Sequence, residues 1–155
     1  MIKKIPFIFI LLIILSNCGY NPIYSSKKIN FNIIEITNYG DKIVGKTIER
    51  KISRFTQNDS VDKNYNINLY SNINKNTTSK DKKGNPSTFD IKLSVKVIVI
   101  NSSNEKREKI FNEGTSYKNN DNKFELKQYE ESLVKNFSNK ISDDIIKYLQ
   151  NISNL

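Results

Sequence analysis

Cys18 is the only cysteine of the 155-residue chain, and it stands three positions after Leu15, where an apolar run beginning at Phe7 ends. A thiol in this setting points to one reaction. Small or aliphatic residues just before a cysteine form a bacterial lipobox. The cysteine sulfur receives a diacylglyceryl group, the leader is cut, and the new amino terminus takes a palmitate-type acyl chain. Asn17 stands where Gly, Ala or Ser is usual. The competing readings are a buried free thiol, which packs as a small hydrophobe, and an uncleaved membrane anchor. The run from Phe7 to Leu15 is nine residues, whereas a spanning helix needs about 20. Lys3 and Lys4 precede the run and Pro6 interrupts its start, the layout of a signal peptide over residues 1–17. Several acyl chains hold a protein on a membrane where one barely does. Cys18 therefore decides the location of everything after it.

Other chemistry is scarce. The chain has no histidine, so the commonest general base and metal ligand is missing. There is no nucleophile-elbow motif and no glycine-rich phosphate loop, and only five glycines in all. The acids are scattered. Asp143 and Asp144 are adjacent in the sequence, and neighbours on a helix do not face each other. No catalytic residue, metal ligand or cofactor site is expected, and the chain reads as a non-enzyme. With no second cysteine, an intramolecular disulfide is impossible, so packing alone must hold the domain.

The balance of 25 basic against 16 acidic residues gives a net charge of +9. Cleavage of the leader removes two lysines and no acid, so the excess persists. A positive domain favours anionic partners. Nucleic acid comes first for a cytosolic protein, but export moves the chain away from the genome. The candidates become phospholipid headgroups, lipopolysaccharide phosphates or an acidic protein surface.

The elements that would present these charges follow from periodicity. Residues 18–27 read as a lipidated tether, in which Tyr20 and Tyr24 lie at the membrane surface or pack on the domain. Residues 28–155 read as one domain. A first strand is expected over 28–37. Ile29, Phe31 and Ile33 alternate, then Ile34 and Ile36 continue on the other parity, which suggests a bulge or two-sided burial. Asn38-Tyr39-Gly40-Asp41 reads as a turn with Asp41 at a helix start. Val44, Ile48, Ile52 and Phe55 form one face of a helix over 41–57. Tyr65, Ile67, Leu69 and Ile73 alternate with asparagines in a strand over 64–73. Residues 74–88 read as a long polar loop carrying four lysines.

The strongest strand pattern is 89–100. Phe89, Ile91, Leu93, Val95, Val97 and Val99 share one face, while Asp90, Lys92, Ser94 and Lys96 share the other. Ile98 and Ile100 suggest that one end is covered on both sides. A turn at 101–104 leads to a weaker strand over 106–118, with Phe111, Thr115 and Tyr117 on its dry face and Glu113 interrupting them. Residues 124–152 read as a long helix with a stripe of Leu126, Tyr129, Leu133, Phe137, Ile141, Ile145, Leu149 and Ile152. The order β-α-β-β-β-α gives a two-layer α/β sandwich, a four-stranded mostly antiparallel sheet backed by two helices. The neighbour and direction of the first strand stay open.

Cys18-Gly19-Tyr20-Asn21-Pro22-Ile23-Tyr24 resembles the Cys-Gly-aromatic-x-Pro-Leu-Tyr start of alphaproteobacterial members of the LPS-assembly lipoprotein (LptE) family. The element order and the C-terminal amphipathic helix are similar too. This resemblance implies an outer-membrane lipoprotein, anchored by lipid and facing the periplasm, that sits in the lumen of an LptD-like β-barrel. There it plugs the barrel, helps it assemble and supports insertion of lipopolysaccharide into the outer leaflet. Gly19 after the cysteine is consistent with outer-membrane delivery. No lipopolysaccharide site carries over residue by residue. The basic residues themselves suggest one, with Lys80, Lys82, Lys83, Lys92 and Lys96 as an anion-facing surface, since lysines attract phosphates through charge-assisted hydrogen bonds. An auxiliary lipoprotein of an ABC-type lipid transport system is the alternative, and a structural lipoprotein of unknown partner is a third reading.

Overall fold

The structure, a computed structural model, describes residues 30–55 and 63–154. Cys18 and the segments expected as signal peptide and tether lie outside them. The elements run β1 (Asn32–Gly40), α1 (Lys42–Ile52) with a 3-10 turn at Ser53–Phe55, β2 (Asn64–Lys80), β3 (Pro86–Asn101), β4 (Lys106–Lys118) and α2 (Lys123–Ser153). One four-stranded sheet has the order β1-β2-β3-β4, and both helices pack on the same face. The expected order and two-layer sandwich are the ones found.

β1 runs parallel to β2, and the β2–β3 and β3–β4 pairs are antiparallel. A parallel pair cannot close through a tight turn, and α1 supplies the crossover. β1 carries a bulge between Ile33 and Glu35. That extra residue lets Ile33 and Ile36 both face the helices, which accounts for the change of parity in the sequence. β1 begins later and runs further than expected, because Asn38, Tyr39 and Gly40 continue the ladder to Ser71. The chain then turns sharply. Gly40 has φ +104°, and a Cβ there would lie 2.1 Å from the Ser71 carbonyl oxygen. Asp41 caps α1 by accepting from the amides of Ile43 and Val44, both at 2.9 Å.

The core lies between the sheet and the helices. Ile67 and Leu69 of β2, Leu93, Val95, Val97 and Val99 of β3, Val44, Ile48 and Ile52 of α1, and Ile141, Ile145, Ile146 and Leu149 of α2 are all buried. Each such side chain contributes about 1.5–3 kcal/mol on leaving water. A second, smaller cluster of Ile91, Tyr117 and Leu126 continues the core along α2.

Several expectations are corrected. Residues 74–88 are not a loop. β2 runs on to Lys80, β3 starts at Pro86, and only 81–85 turn between them. Hydrophobic alternation reports burial, and this ribbon is exposed on both faces of β2 from Asn74 to Lys80. Its strand character comes from backbone pairing alone. On α2, Tyr129 is 49% exposed while Ser138 and Ser142 are buried. The helix meets both the sheet and α1, so its buried face is wider than one apolar stripe. The two small serines satisfy themselves by donating to the carbonyls of Val134 and Ser138. Third, Ile98 and Ile100 lie on the face opposite the helices, half-buried among neighbouring strands. No described element covers them.

On β4, Phe111 and Tyr117 are buried as expected, but Thr115 is exposed. Glu113 interrupts the dry face because Lys140 of α2 reaches down to it at 2.8 Å.

Candidate docking face and basic hairpin

Among the described residues, the sheet has one face without helices. Across its strands stand rows of side chains in register: Glu35, Asn66, Ile100 and Lys106; Thr37, Asn68, Ile98 and Glu108; Tyr39, Tyr70, Lys96 and Ile110. Asn72, Ser94 and Asn112 follow, then Asn74, Lys92 and Gly114. The pattern originates in β2 and β3, whose alternate residues are mostly amides, hydroxyls and ammoniums while the intervening ones are mostly apolar. One face is thus wet by composition and the other dry.

The wet face is not uniformly polar. Tyr39 and Tyr70 stack with centroids 4.6 Å apart and planes 10° from parallel. The Lys96 ammonium sits 5.2 Å from the Tyr70 centroid, a cation–π contact. Ile110, at 57% exposure, closes that row. The sequence did not reveal this aromatic pair, because Tyr39 reads as a turn residue and Tyr70 breaks the asparagine alternation of β2.

The β2–β3 hairpin extends the sheet into a basic ribbon. Lys80 ends β2, and Lys82 and Lys83 lie in the turn. Asp81 is the acid of this turn, and its carboxylate is engaged within it. It accepts from the backbone N–H of Asn85 and of Lys83, both at 2.8 Å, and from the Asn85 side chain. These hydrogen bonds, that of the Asn85 amide foremost, hold its carboxyl below the usual carboxylate range. Gly84 takes φ +85° to close the turn. The tip is therefore preshaped and presents ammoniums outward.

Of the five lysines singled out in the sequence, Lys92 and Lys96 share the open face of β3, roughly 13 Å apart at 3.3 Å per residue. The other three cluster at the tip, several residues beyond Lys92. All five belong to one hairpin, but they form a track along it and not a single pocket. Lys118, at the end of β4 opposite Thr88, joins the track and was missed in the sequence because β4 looked weak.

Lys75 is a lysine with a different role. It points to the helix side, bonds Glu130 of α2 at 2.6 Å and lies 4.2 Å from the Phe89 ring centroid. The Tyr117 hydroxyl donates to the same Glu130 oxygen at 2.6 Å. Burial pushes the Glu130 carboxyl up, but the bonds from Lys75 and Tyr117 prevail and hold it below its ordinary value. Burial and the Glu130 carboxylate together push the Tyr117 phenol well up. This trio ties the root of the hairpin to α2.

At the other end of the sheet a cleft of about 270 Å³ is lined by Lys63, Tyr65, Glu105, Arg107 and Ile152 among others. Lys63 donates there to the Ser153 carbonyl at the end of α2, at 2.7 Å. Among the described residues no group of His, Cys, Asp and Glu is placed to hold a metal. No described helix is long and apolar enough to cross a membrane.

No protein-family description matches the sequence, and no curated protein matches it. Solved structures do match the fold. The rare lipoprotein B of Shewanella oneidensis aligns with a TM-score of 0.59 at 12% identity, over 76% of this chain and 95% of its own. A minor lipoprotein of Acinetobacter baumannii gives 0.60 at 8% identity, over 80% and 92%. An uncharacterised lipoprotein B of Nitrosomonas europaea gives 0.57 at 16% identity, over 82% and 89%. At these identities the likeness is one of fold.

Proposed function

We propose that the chain is an outer-membrane lipoprotein, anchored through Cys18, that docks in the lumen of an LptD-like β-barrel and supports insertion of lipopolysaccharide into the outer leaflet. It works as a plug and assembly aid without catalysing a reaction. The observation that carries this reading is the division of the sheet. One face is sealed by two helices, while the other is amide-rich, not covered by any described element and continued by a lysine-bearing hairpin. Such a face suits the hydrated wall of a barrel lumen, and the ammonium track suits phosphates of a lipid headgroup. The Cys18–Tyr24 motif and the fold shared with proteins named as lipoproteins support the same reading.

Mild-detergent purification of the tagged full-length chain from native membranes tests it, with Cys18→Ala as the control for anchoring. Stoichiometric recovery of one large β-barrel protein is expected, with less of it when Cys18 is replaced. Recovery of transporter subunits from the inner membrane in place of a barrel contradicts the reading.

A further inference from the structure

The two edges of the sheet are built differently. β4 is guarded by the successive charges Lys106, Arg107, Glu108 and Lys109, all exposed. Charged edges of this kind prevent unwanted strand pairing. β1, the other edge, carries one charged residue in nine, Glu35. Its bulge residue Ile34 is 66% exposed, and among the described residues no strand pairs with its outer side.

Two further observations meet at this edge. Lys96, Tyr70 and Tyr39 occupy one row across β3, β2 and β1, and their contacts form a stack running across the strands. The 4.6 Å spacing of the two rings matches the strand-to-strand repeat of about 4.8 Å. The stack ends at Tyr39, 46% exposed, where a residue of a fifth strand would take the next place. Earlier on β1 lies a groove of about 180 Å³ lined by Ile33, Ile34, Glu35 and Ile36 with Glu49 and Ser53 of the helical segment. Asn38 donates to Glu49 at 2.8 Å and holds it there. In a chain of +9 net charge, this groove sets three isoleucines beside two carboxylates.

We propose that β1 is a strand-addition site for an extended segment of a partner protein in which apolar residues alternate with Lys or Arg. Main-chain hydrogen bonds to an open edge give affinity, and the alternate side chains give selectivity. Apolar residues of the segment pack along Ile34 and Ile36. Basic residues, which alternation places on the open-face side, meet Glu35, and a planar guanidinium stacks on the outer face of Tyr39. Glu35 and Tyr39 stand at the rim of the open face, but the pairing amides and carbonyls belong to the outer side of β1, so peptide binding at this edge succeeds or fails whatever fills the open face.

The test uses the full-length protein in mild detergent and a fluorescent peptide alternating Val with Arg. In the protein alone, every second amide of β1, those directed away from β2, exchanges quickly with solvent. Saturating peptide slows those alternate amides about tenfold or more while the intervening ones stay as they were, an alternation that only strand pairing produces. Glu35→Lys weakens peptide binding about tenfold, and Tyr39→Ser by about threefold. Lys109→Gln on the opposite edge leaves it unchanged, and a peptide with Glu in place of Arg does not bind. The proposal is overturned by any of four results: no binding of the Val-Arg peptide; binding indifferent to Glu35→Lys; protection of β1 that is absent or not alternating; or alternate amides already slow in the protein alone. The last result would mean that the edge is covered by this chain itself or, if Glu35→Lys also abolishes self-association, by a second copy.

Discussion

The two faces of β3 share one backbone and differ in everything else. Ile91, Leu93, Val95, Val97 and Val99 are almost wholly buried beneath the helices. Between them Asp90, Lys92, Ser94, Lys96, Ile98 and Ile100 look the other way, and no described element covers them. The first set makes the domain fold, because apolar area removed from water is the dominant favourable contribution. The second set adds little to folding, so its composition is free to serve a partner. The difference teaches where to look for a docking site: on the face that stability does not need.

Mutations should separate the two faces cleanly. The largest loss is expected from Leu93→Ala on the dry face, about 2–5 kcal/mol in chemical denaturation through lost burial and a residual cavity. Gly40→Ala should follow at about 1–3 kcal/mol, since positive φ strains any side chain and the Ser71 carbonyl occupies the space. Asp41→Ala should lower stability by about 1 kcal/mol through the lost helix cap.

Glu130→Gln weakens the tie between hairpin and α2 and should cost about 1 kcal/mol at neutral pH. Its pH dependence gives a second reading. The folded-state pKa of Glu130 is depressed, so its contribution is present above the unfolded value and is lost as pH falls through the folded one. Denaturation curves of the wild type should therefore fall towards those of Glu130→Gln in that acid range.

The smallest effect on stability is expected on the wet face. Changing Lys80, Lys82, Lys83, Lys92 and Lys96 together to Gln should shift stability by less than about 0.5 kcal/mol. It should also remove most salt-dependent binding to lipopolysaccharide. A large loss of stability from this set, or binding that keeps its salt dependence, would erase the distinction between the faces.

Much of this architecture was legible in the residues. The helix start at Asp41, the strong strand at 89–100 and the bulge near Ile33 each have a local cause that the sequence displays: a capping carboxylate, strict alternation and a change of parity. What was hidden has a common cause. Periodicity records contact with a core. It misses the outer part of the β2–β3 hairpin, where both sides meet water, and overstates Tyr129, which stands on the apolar stripe yet is half exposed, its ring edge-on to Tyr117. The parallel pairing of β1 with β2 is a long-range choice that no local pattern encodes. Individual lysines of the track were visible. That they lie along a ribbon, and that Lys75 belongs to the other side, depended on knowing that 74–80 is strand.

The most direct test of the docking face is site-specific photo-cross-linking in native membranes. Photoreactive residues would replace Lys92, Ser94 and Lys96 on the open face and, separately, Lys127, Lys135 and Lys147 on the exposed side of α2. Docking through the uncovered face predicts that the β3 positions capture one β-barrel protein in high yield while most α2 positions capture little. Capture only from α2, or capture of inner-membrane transporter subunits from β3, would contradict it.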